Sequence, residues 1–158
     1  MSPPLVKNKV EQLSEFLEEL QKFENISFED FEQAQHFLVE RLFELLVIYA
    51  SDILMGILAQ RKEEMPTTLR TTFLRAGELN ILPTELAQRL SDAAAMRNIL
   101  VHAYTKVDLT IVYESIRPAL KDFSEFVTII SQQAKLISGD ESQLRSKDEP
   151  DDATNDNT

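Results

Sequence analysis

The 158-residue sequence contains no cysteine, only three glycines and only two histidines. The absence of cysteine excludes disulfides, thiolate zinc sites and cysteine nucleophiles, and it fits the reducing cytoplasm. With three glycines there is no glycine-rich phosphate-binding loop, and the abundance of Leu, Glu, Ala and Gln favours helices over strands. The sequence therefore predicts a single all-α domain, which is also what its length suggests.

A secretory leader and a long uninterrupted apolar run are missing as well. The start, Met1-Ser2-Pro3-Pro4, has no basic region followed by an apolar run, so we expect no signal peptide. The most apolar stretch, residues 42–58, is interrupted by Glu44, Ser51 and Asp52, which disfavours a membrane span. We expect a cytoplasmic protein that does not associate with a membrane.

The formal net charge of −11 disfavours nucleic acid as a partner, because an acidic protein repels phosphate at long range. The charge is unevenly distributed, however. Residues 139–158 carry seven acidic and two basic side chains, whereas residues 66–121 carry seven basic and five acidic ones. The least acidic part of the chain is therefore its middle, where the motif described below lies.

Apolar residues at helical spacing predict an antiparallel bundle of about five helices. The second is apolar nearly all round, so we expect it to be the central helix. Ser27, Thr67 or Thr68, and Asp108 are predicted to cap helix starts, and Gly77 a helix end. Pro118 should kink or break the fifth helix. The predicted helices span 5–24, 28–61, 67–76, 83–103 and a segment that begins at 108.

The polar, acidic segment after residue 138 has few apolar side chains. A segment of that composition cannot bury enough apolar surface to order itself. We therefore predict a helical domain over residues 1–138 and an acidic disordered tail over residues 139–158.

The most informative segment is Arg97-Asn98-Ile99-Leu100-Val101-His102-Ala103-Tyr104, here called the motif. On a helix with Arg97 at zero, Asn98 lies at about 100°, His102 at about 140° and Tyr104 at about −20°. These polar side chains share one side of the helix end, and the other side is predicted to pack in the core through Met96, Ile99, Leu100 and Ala103.

An arginine beside a histidine suits phosphate chemistry, because Arg is a permanently charged fork and His titrates near neutral pH. The pair could support metal-free cleavage of RNA, with Arg97 on the phosphate and His102 as general acid or base. One histidine cannot easily fill both roles, so a twofold dimer would supply the second. The structural alternative is that Arg97 forms a salt bridge and that His102 caps the helix C-terminus, where a positive charge is favourable.

The motif, followed by Val107-Asp108 at a helix start, resembles the signature of the HEPN superfamily and is most similar to its HepT-like branch. That branch has Arg-x4-His-x-Tyr with Asn after the Arg. The resemblance continues upstream with Asp52 in a long apolar helix and with Pro66, Arg70 and Phe73. It covers residues 5–137.

The resemblance implies an all-helical homodimer with the two motifs facing each other and a metal-independent ribonuclease activity on RNA. It also implies a toxin paired with an MntA-like nucleotidyltransferase antitoxin, which transfers AMP from ATP onto the motif tyrosine. Arg97 and His102 would then be catalytic and Tyr104 the modification site. Phosphate groups on Tyr104 would occupy the cation that RNA phosphate needs.

Other side chains are candidates for supporting roles. Asn98 could orient His102, and Asp52 could pair either with Arg97 or His102 or in a structural salt bridge between helices. Arg70, Arg75 and Lys106 are possible RNA contacts, with solvated helix charges as the alternative.

No metal site and no cofactor are predicted. His36 and Glu40 stand four residues apart on a helix, which would provide only half of a metal site. A second function also fits the acidic charge, namely a non-catalytic helical module that binds a nucleotidyltransferase.

Overall fold

The computed structural model describes residues 3–102 and 107–145, with side chains for 5–102 and 107–133, and all regular structure in these ranges is helical. After helix α1 and a short turn, α2, one π-helical turn (Phe31–Gln35) and α3 form a continuous helical segment. Four more helices complete the described chain. The helices are α1 Pro3–Gln21, α2 Phe28–Asp30, α3 His36–Gln60, α4 Leu69–Glu78, α5 Thr84–His102, α6 Leu109–Glu114 and α7 Ile116–Arg145. The predicted all-helical fold is confirmed.

Three helices begin at residues whose side chains were predicted to cap them. The Ser27 hydroxyl accepts a hydrogen bond from the Asp30 amide at 3.2 Å, and Asp108 Oδ1 accepts one from the Thr110 amide at 3.0 Å. Of the two candidate threonines it is Thr68 that caps α4, in a reciprocal arrangement with Thr71. Each cap satisfies a backbone amide that the first helical turn leaves without a partner.

Helix α3 forms the centre of the bundle, as predicted. It contacts α1, α4, α5, α6 and α7, and side chains along its length, such as Leu46, Ile53 and Leu58, are fully buried. Among the described residues, Phe28–Gln60 is long and apolar enough to cross a membrane by length and composition alone. Because more than half of that apolar window is buried in the bundle, we interpret it as the core helix.

The prediction that Gly77 ends a helix is wrong. Helix α4 continues to Glu78, and the residue with left-handed backbone geometry after this helix is Asn80, at φ 57°. Gly77 instead lies where α4 packs closest to α5, since a Cβ at this position would come within 2.7 Å of the Ala87 Cβ. The glycine is thus explained by the close approach of two helices.

The predicted interruption of the fifth helix is confirmed and falls at Ser115, between α6 and α7. Pro118 is the third residue of α7, where its missing amide hydrogen has no intrahelical acceptor. Helix α7 then continues through Gly139 to Arg145, into the segment for which disorder is predicted. One glycine within a helix costs only about 1 kcal/mol. The rest of the predicted tail, residues 146–158, lies outside the described residues.

Candidate active site

Helix α5 positions the motif, and its buried face determines where Arg97 lies. Leu86, Leu90 and Ala94 are fully buried along one face of this helix. Arg97 follows Ala94 by three residues and Leu90 by seven, so it lies on the same face. Its side chain is half-buried. The sequence had suggested the opposite orientation, with the polar motif side facing away from the core.

The apolar residues of the motif are correspondingly less buried than predicted. Ile99 is 63% exposed, and Met96 and Leu100 are only partly buried. Val101, on the same face as Ala94, is 42% exposed. No described residue of α5 beyond Ala94 is buried. In its last two turns Met96 and Leu100 still pack against the core, whereas Asn98, Ile99, Val101 and His102 project from it.

Arg97 and His102 have few partners in the part of the chain that the structure describes. Arg97 Nη1 donates to Asn98 Oδ1 over a long 3.4 Å, and the buried Arg97 Nε has no hydrogen-bond partner. The His102 side chain is exposed and makes no hydrogen bond or ion pair there. Asn98 thus contacts Arg97 rather than the imidazole that it was expected to orient. As far as the described residues show, both candidate catalytic groups retain hydrogen-bonding capacity that a phosphate could use.

Asp52 pairs with a lysine on α1 and not with the described part of the motif. Its Oδ2 forms an ion pair with Lys9 Nζ of α1 at 3.0 Å, and the same ammonium lies 5.3 Å from the centre of the Tyr49 ring. Among the described residues Asp52 makes no hydrogen bond with Arg97 or His102. Of the two alternatives for Asp52, the structure shows the salt bridge between helices.

The residues predicted to contact RNA differ in whether their charge is free to bind a phosphate. Arg75 donates hydrogen bonds to Glu78 at 2.9 Å and to Glu63 at 3.1 Å, and the bond that it donates to Glu78 raises the pKa of Arg75. With two carboxylates on it, Arg75 is a poor phosphate ligand. Arg70 is exposed at the start of α4. Lys106 and Tyr104 lie outside the described residues.

His36 and Glu40 hydrogen-bond to each other at 3.0 Å near the start of α3. No group of three or more His, Cys, Asp or Glu side chains suitable for a metal ion occurs among the described residues. The half site noted in the sequence therefore gains no further ligand from that part of the fold.

The structure contains a cleft beside α5 that the sequence did not predict. It has a volume of about 270 Å³ and is lined by side chains from α3, α5 and the α6–α7 region, among them Arg89, Asp92, Met96 and Asp122. Only the spacing of Arg89, Asp92 and Met96 on one helix face could have indicated it. The rest of the lining is assembled by tertiary packing.

Comparison with known proteins gives concordant results. The family model described as Ribonuclease HepT-like matches residues 13–130. The chain is 32% identical over 133 residues to the tRNA nuclease HepT of Aphanizomenon flos-aquae, covering 83% of this chain and 90% of the relative. It is 29% identical over 82 residues to the mRNA nuclease HepT of Shewanella oneidensis, covering 52% of this chain and 62% of the relative.

The fold is similar to that of a solved complex, the tri-AMPylated Shewanella oneidensis HEPN toxin with its MNT antitoxin. The TM-score is 0.75 at 23% identity, and the match covers 84% of this chain and 99% of the solved one. At this identity the likeness supports the fold alone.

Proposed function

This chain belongs to the ribonuclease HepT-like family and is an endoribonuclease, and we propose that it cuts RNA with Arg97 and His102 at the end of α5. The observation that carries the proposal is the state of these two side chains. Both lie on the projecting turns of α5, and both have hydrogen-bonding capacity that the described residues leave unused. A guanidinium fork and an imidazole in this state can bind and cleave a phosphodiester without a metal.

In the proposed reaction, His102 removes the proton of a ribose 2′-hydroxyl, and the 2′-oxygen attacks the neighbouring phosphorus. The bond between phosphorus and the 5′-oxygen breaks, and a protonated imidazole donates a proton to the leaving oxygen. Arg97 stabilises the negative charge that increases on the phosphoryl oxygens. The products are a 2′,3′-cyclic phosphate and a free 5′-hydroxyl.

We propose that the enzyme is a homodimer in which two α5 ends meet. Ile99 and Val101 are exposed on the turns that project beyond the core, where a second copy would remove their apolar surface from water. A twofold axis at this place brings two motifs together. His102 of one protomer can then act as the base while His102 of the partner subunit acts as the acid.

We propose that the chain is the toxin of a toxin–antitoxin pair, controlled by a nucleotidyltransferase partner that modifies Tyr104. The phenol oxygen of Tyr104 would attack the α-phosphorus of ATP, with pyrophosphate as the leaving group. Support comes from the structurally similar HEPN toxin of Shewanella oneidensis, which is tri-AMPylated and in complex with an MNT antitoxin. The added phosphates would compete with RNA for Arg97.

Transfer RNA is the first substrate to test, because the relative named as a tRNA nuclease matches over 90% of its length. Messenger RNA is the second, from the relative named as an mRNA nuclease. The absence of cysteine and the burial of the most apolar helix fit a cytoplasmic enzyme.

The decisive experiment compares His102→Ala with His36→Ala, which changes the chain's other histidine. Both variants are expressed without the partner, purified and incubated with tRNA in the presence of a metal chelator. We expect wild type and His36→Ala to arrest growth and to cut RNA, and folded His102→Ala to do neither. Equal cleavage by folded His102→Ala would show that the catalytic assignment is wrong.

A further inference from the structure

The cleft beside α5 lies on the face of the helix that Arg97 does not occupy. Met96, next to Arg97 in sequence, forms part of its wall, and Phe43, Val47 and Phe123 contribute further apolar surface. Its volume of about 270 Å³ is just below the ~300–1,000 Å³ typical of sites for drug-sized ligands. An aromatic ring system the size of a single nucleobase is therefore a suitable occupant.

The polar part of the lining has unused hydrogen-bond acceptors. Asp122 is 8% exposed, and its Oδ1 accepts a hydrogen bond from Arg89 Nε at 3.0 Å. Its other carboxylate oxygen has no hydrogen bond within the described part of the chain. A nearly buried carboxylate with only one bond retains acceptor sites for a ligand that carries N–H groups. Asp92, on the exposed rim, offers a second carboxylate, whose Oδ1 accepts one hydrogen bond, from Gln88 Nε2 at 3.3 Å.

The charge of the lining selects against phosphate. Arg89 Nε is bound to Asp122, and its Nη2 lies 3.6 Å from Glu125, so two carboxylates already offset its positive charge. With Asp92 added, the cleft is negative. A phosphate or carboxylate would be repelled, whereas a neutral ring that donates hydrogen bonds would be accepted.

The cleft is also within reach of the proposed reaction site. Met96 and His102 are six residues apart on the same helix, which corresponds to about 9 Å along its axis and about 120° around it, with Arg97 between them in the sequence. Because a base projects sideways from the ribose-phosphate chain, a nucleotide at or next to the cut can place its ring in the cleft. Its phosphate then remains near Arg97.

We propose that this cleft is a base-binding subsite that selects a nucleobase with an exocyclic amino group, namely guanine, adenine or cytosine, over uracil. The assignment rests on the proposed function, since it takes RNA as the substrate. Amino groups donate to Asp92 and Asp122, and the ring packs against Met96 and Phe43. Uracil has carbonyl oxygens on both sides of its N–H, and these oxygens face the carboxylates unfavourably.

A test that does not depend on cleavage uses nucleosides and methionine methyl groups. The full chain carries ¹³C-labelled methionine methyls and is titrated with guanosine, cytidine or uridine. We expect the Met96 signal to shift with guanosine and cytidine but far less with uridine, while Met65, in a different surface depression, stays unchanged. Asp92→Asn should weaken the guanosine response about tenfold, the effect of one hydrogen bond to a charged group.

Glu85→Gln is the matched control. Glu85 is exposed seven residues before Asp92 on the same helix face and does not line the cleft, so the same loss of charge should leave the Met96 response unchanged. Equal responses to all three nucleosides, or none, would overturn the subsite. A stronger response to methylguanidinium than to guanosine would overturn it too, by indicating a site for a partner's cationic side chain.

Cleavage provides the second measurement. Wild type is incubated with RNA randomised around one cut position, and the bases flanking the cut are sequenced. We expect amino-bearing bases to predominate at one position, with their ratio to uracil falling about tenfold in Asp92→Asn and unchanged in Glu85→Gln. An unchanged ratio in Asp92→Asn would contradict the subsite. If wild type cuts no RNA the proposed function fails, whereas the nucleoside titration still decides the subsite.

Discussion

Arg97 lies two helical turns after Leu90 on the same face of α5, so a charged side chain continues a face that is fully buried from Leu86 to Ala94. The guanidinium is half-buried, and its Nε has neither water contact nor a protein partner in the described chain. A buried donor without an acceptor is destabilising. This unfavourable placement is understandable if a substrate phosphate supplies the missing acceptor.

Replacing Arg97 with methionine should therefore separate stability from activity. Arg97→Met keeps much of the side-chain length and removes the unsatisfied donor, so we expect the free energy of unfolding to rise by about 1 kcal/mol. Cleavage should fall below detection. Urea denaturation and a single-turnover RNA assay measure the two effects. A variant that is clearly less stable than wild type would show that the guanidinium contributes to the fold.

Arg97→Lys provides a complementary test of the fork. Lysine keeps the positive charge but cannot hold two phosphoryl oxygens at once. We expect the rate of the chemical step to fall by about 100-fold, with the thermal unfolding midpoint little changed. Single-turnover kinetics at saturating enzyme give this rate, and a rate within twofold of wild type would mean that only the charge matters.

The proposed dimer predicts that a charge at the end of α5 separates the protomers. Ile99→Asp introduces a carboxylate at a 63% exposed apolar position, and the proposed interface would have to bury that charge. Leu5→Asp, at a 52% exposed leucine on α1, is the matched control. We expect sedimentation velocity to give the mass of a monomer for Ile99→Asp and of a dimer for wild type and the control. A monomeric wild type would contradict the proposal directly.

Gly77 provides a test of the packing that positions α5. Gly77→Ala would gain up to about 1 kcal/mol of helix propensity, but its Cβ would lie 2.7 Å from the Ala87 Cβ. Because that contact forces α4 and α5 apart, we expect a net destabilisation of about 1–3 kcal/mol by denaturant unfolding. The double variant Gly77→Ala with Ala87→Gly should recover part of the loss, and no recovery would indicate another cause.

The proposed tyrosine modification can be assigned by intact mass after incubation with ATP and the proposed nucleotidyltransferase partner. We expect Tyr104→Phe to gain no AMP mass and Tyr113→Phe to gain as much as wild type. The Tyr113 hydroxyl already donates to the Ile26 carbonyl at 2.6 Å and is partly buried, so it is poorly placed to attack a nucleotide. An AMP adduct on Tyr104→Phe would place the acceptor elsewhere in the chain.

Local chemistry made much of the fold predictable. The caps at Ser27, Thr68 and Asp108 depend on neighbours within three residues, which a sequence displays directly. The role of Gly77 was predicted wrongly because the local sequence is the same in two cases. A glycine near the end of a helical pattern can end the helix, or it can let a second helix pack closely against it. Only the position of Ala87, ten residues later in the sequence, distinguishes the two.

The site was less predictable, for a related reason. The residue types of the motif indicated phosphate chemistry, but the orientation of α5 depends on which of its faces the bundle covers. Leu86, Leu90 and Ala94 determine that face, and Ile99 lies away from it despite being apolar. The partner of Asp52 is Lys9, on a helix far away in sequence, and no spacing rule connects them.

The projecting end of α5 has a consequence for dosage in the cell. In the proposed dimer, the exposed Ile99 and Val101 lose contact with water only when two chains meet. At concentrations well below the dissociation constant, the amount of paired enzyme then rises with the square of the total protein. A tenfold increase in expression would give about a hundredfold increase in active sites. At low expression little of the enzyme would be paired, and its activity would rise steeply as the chain accumulates.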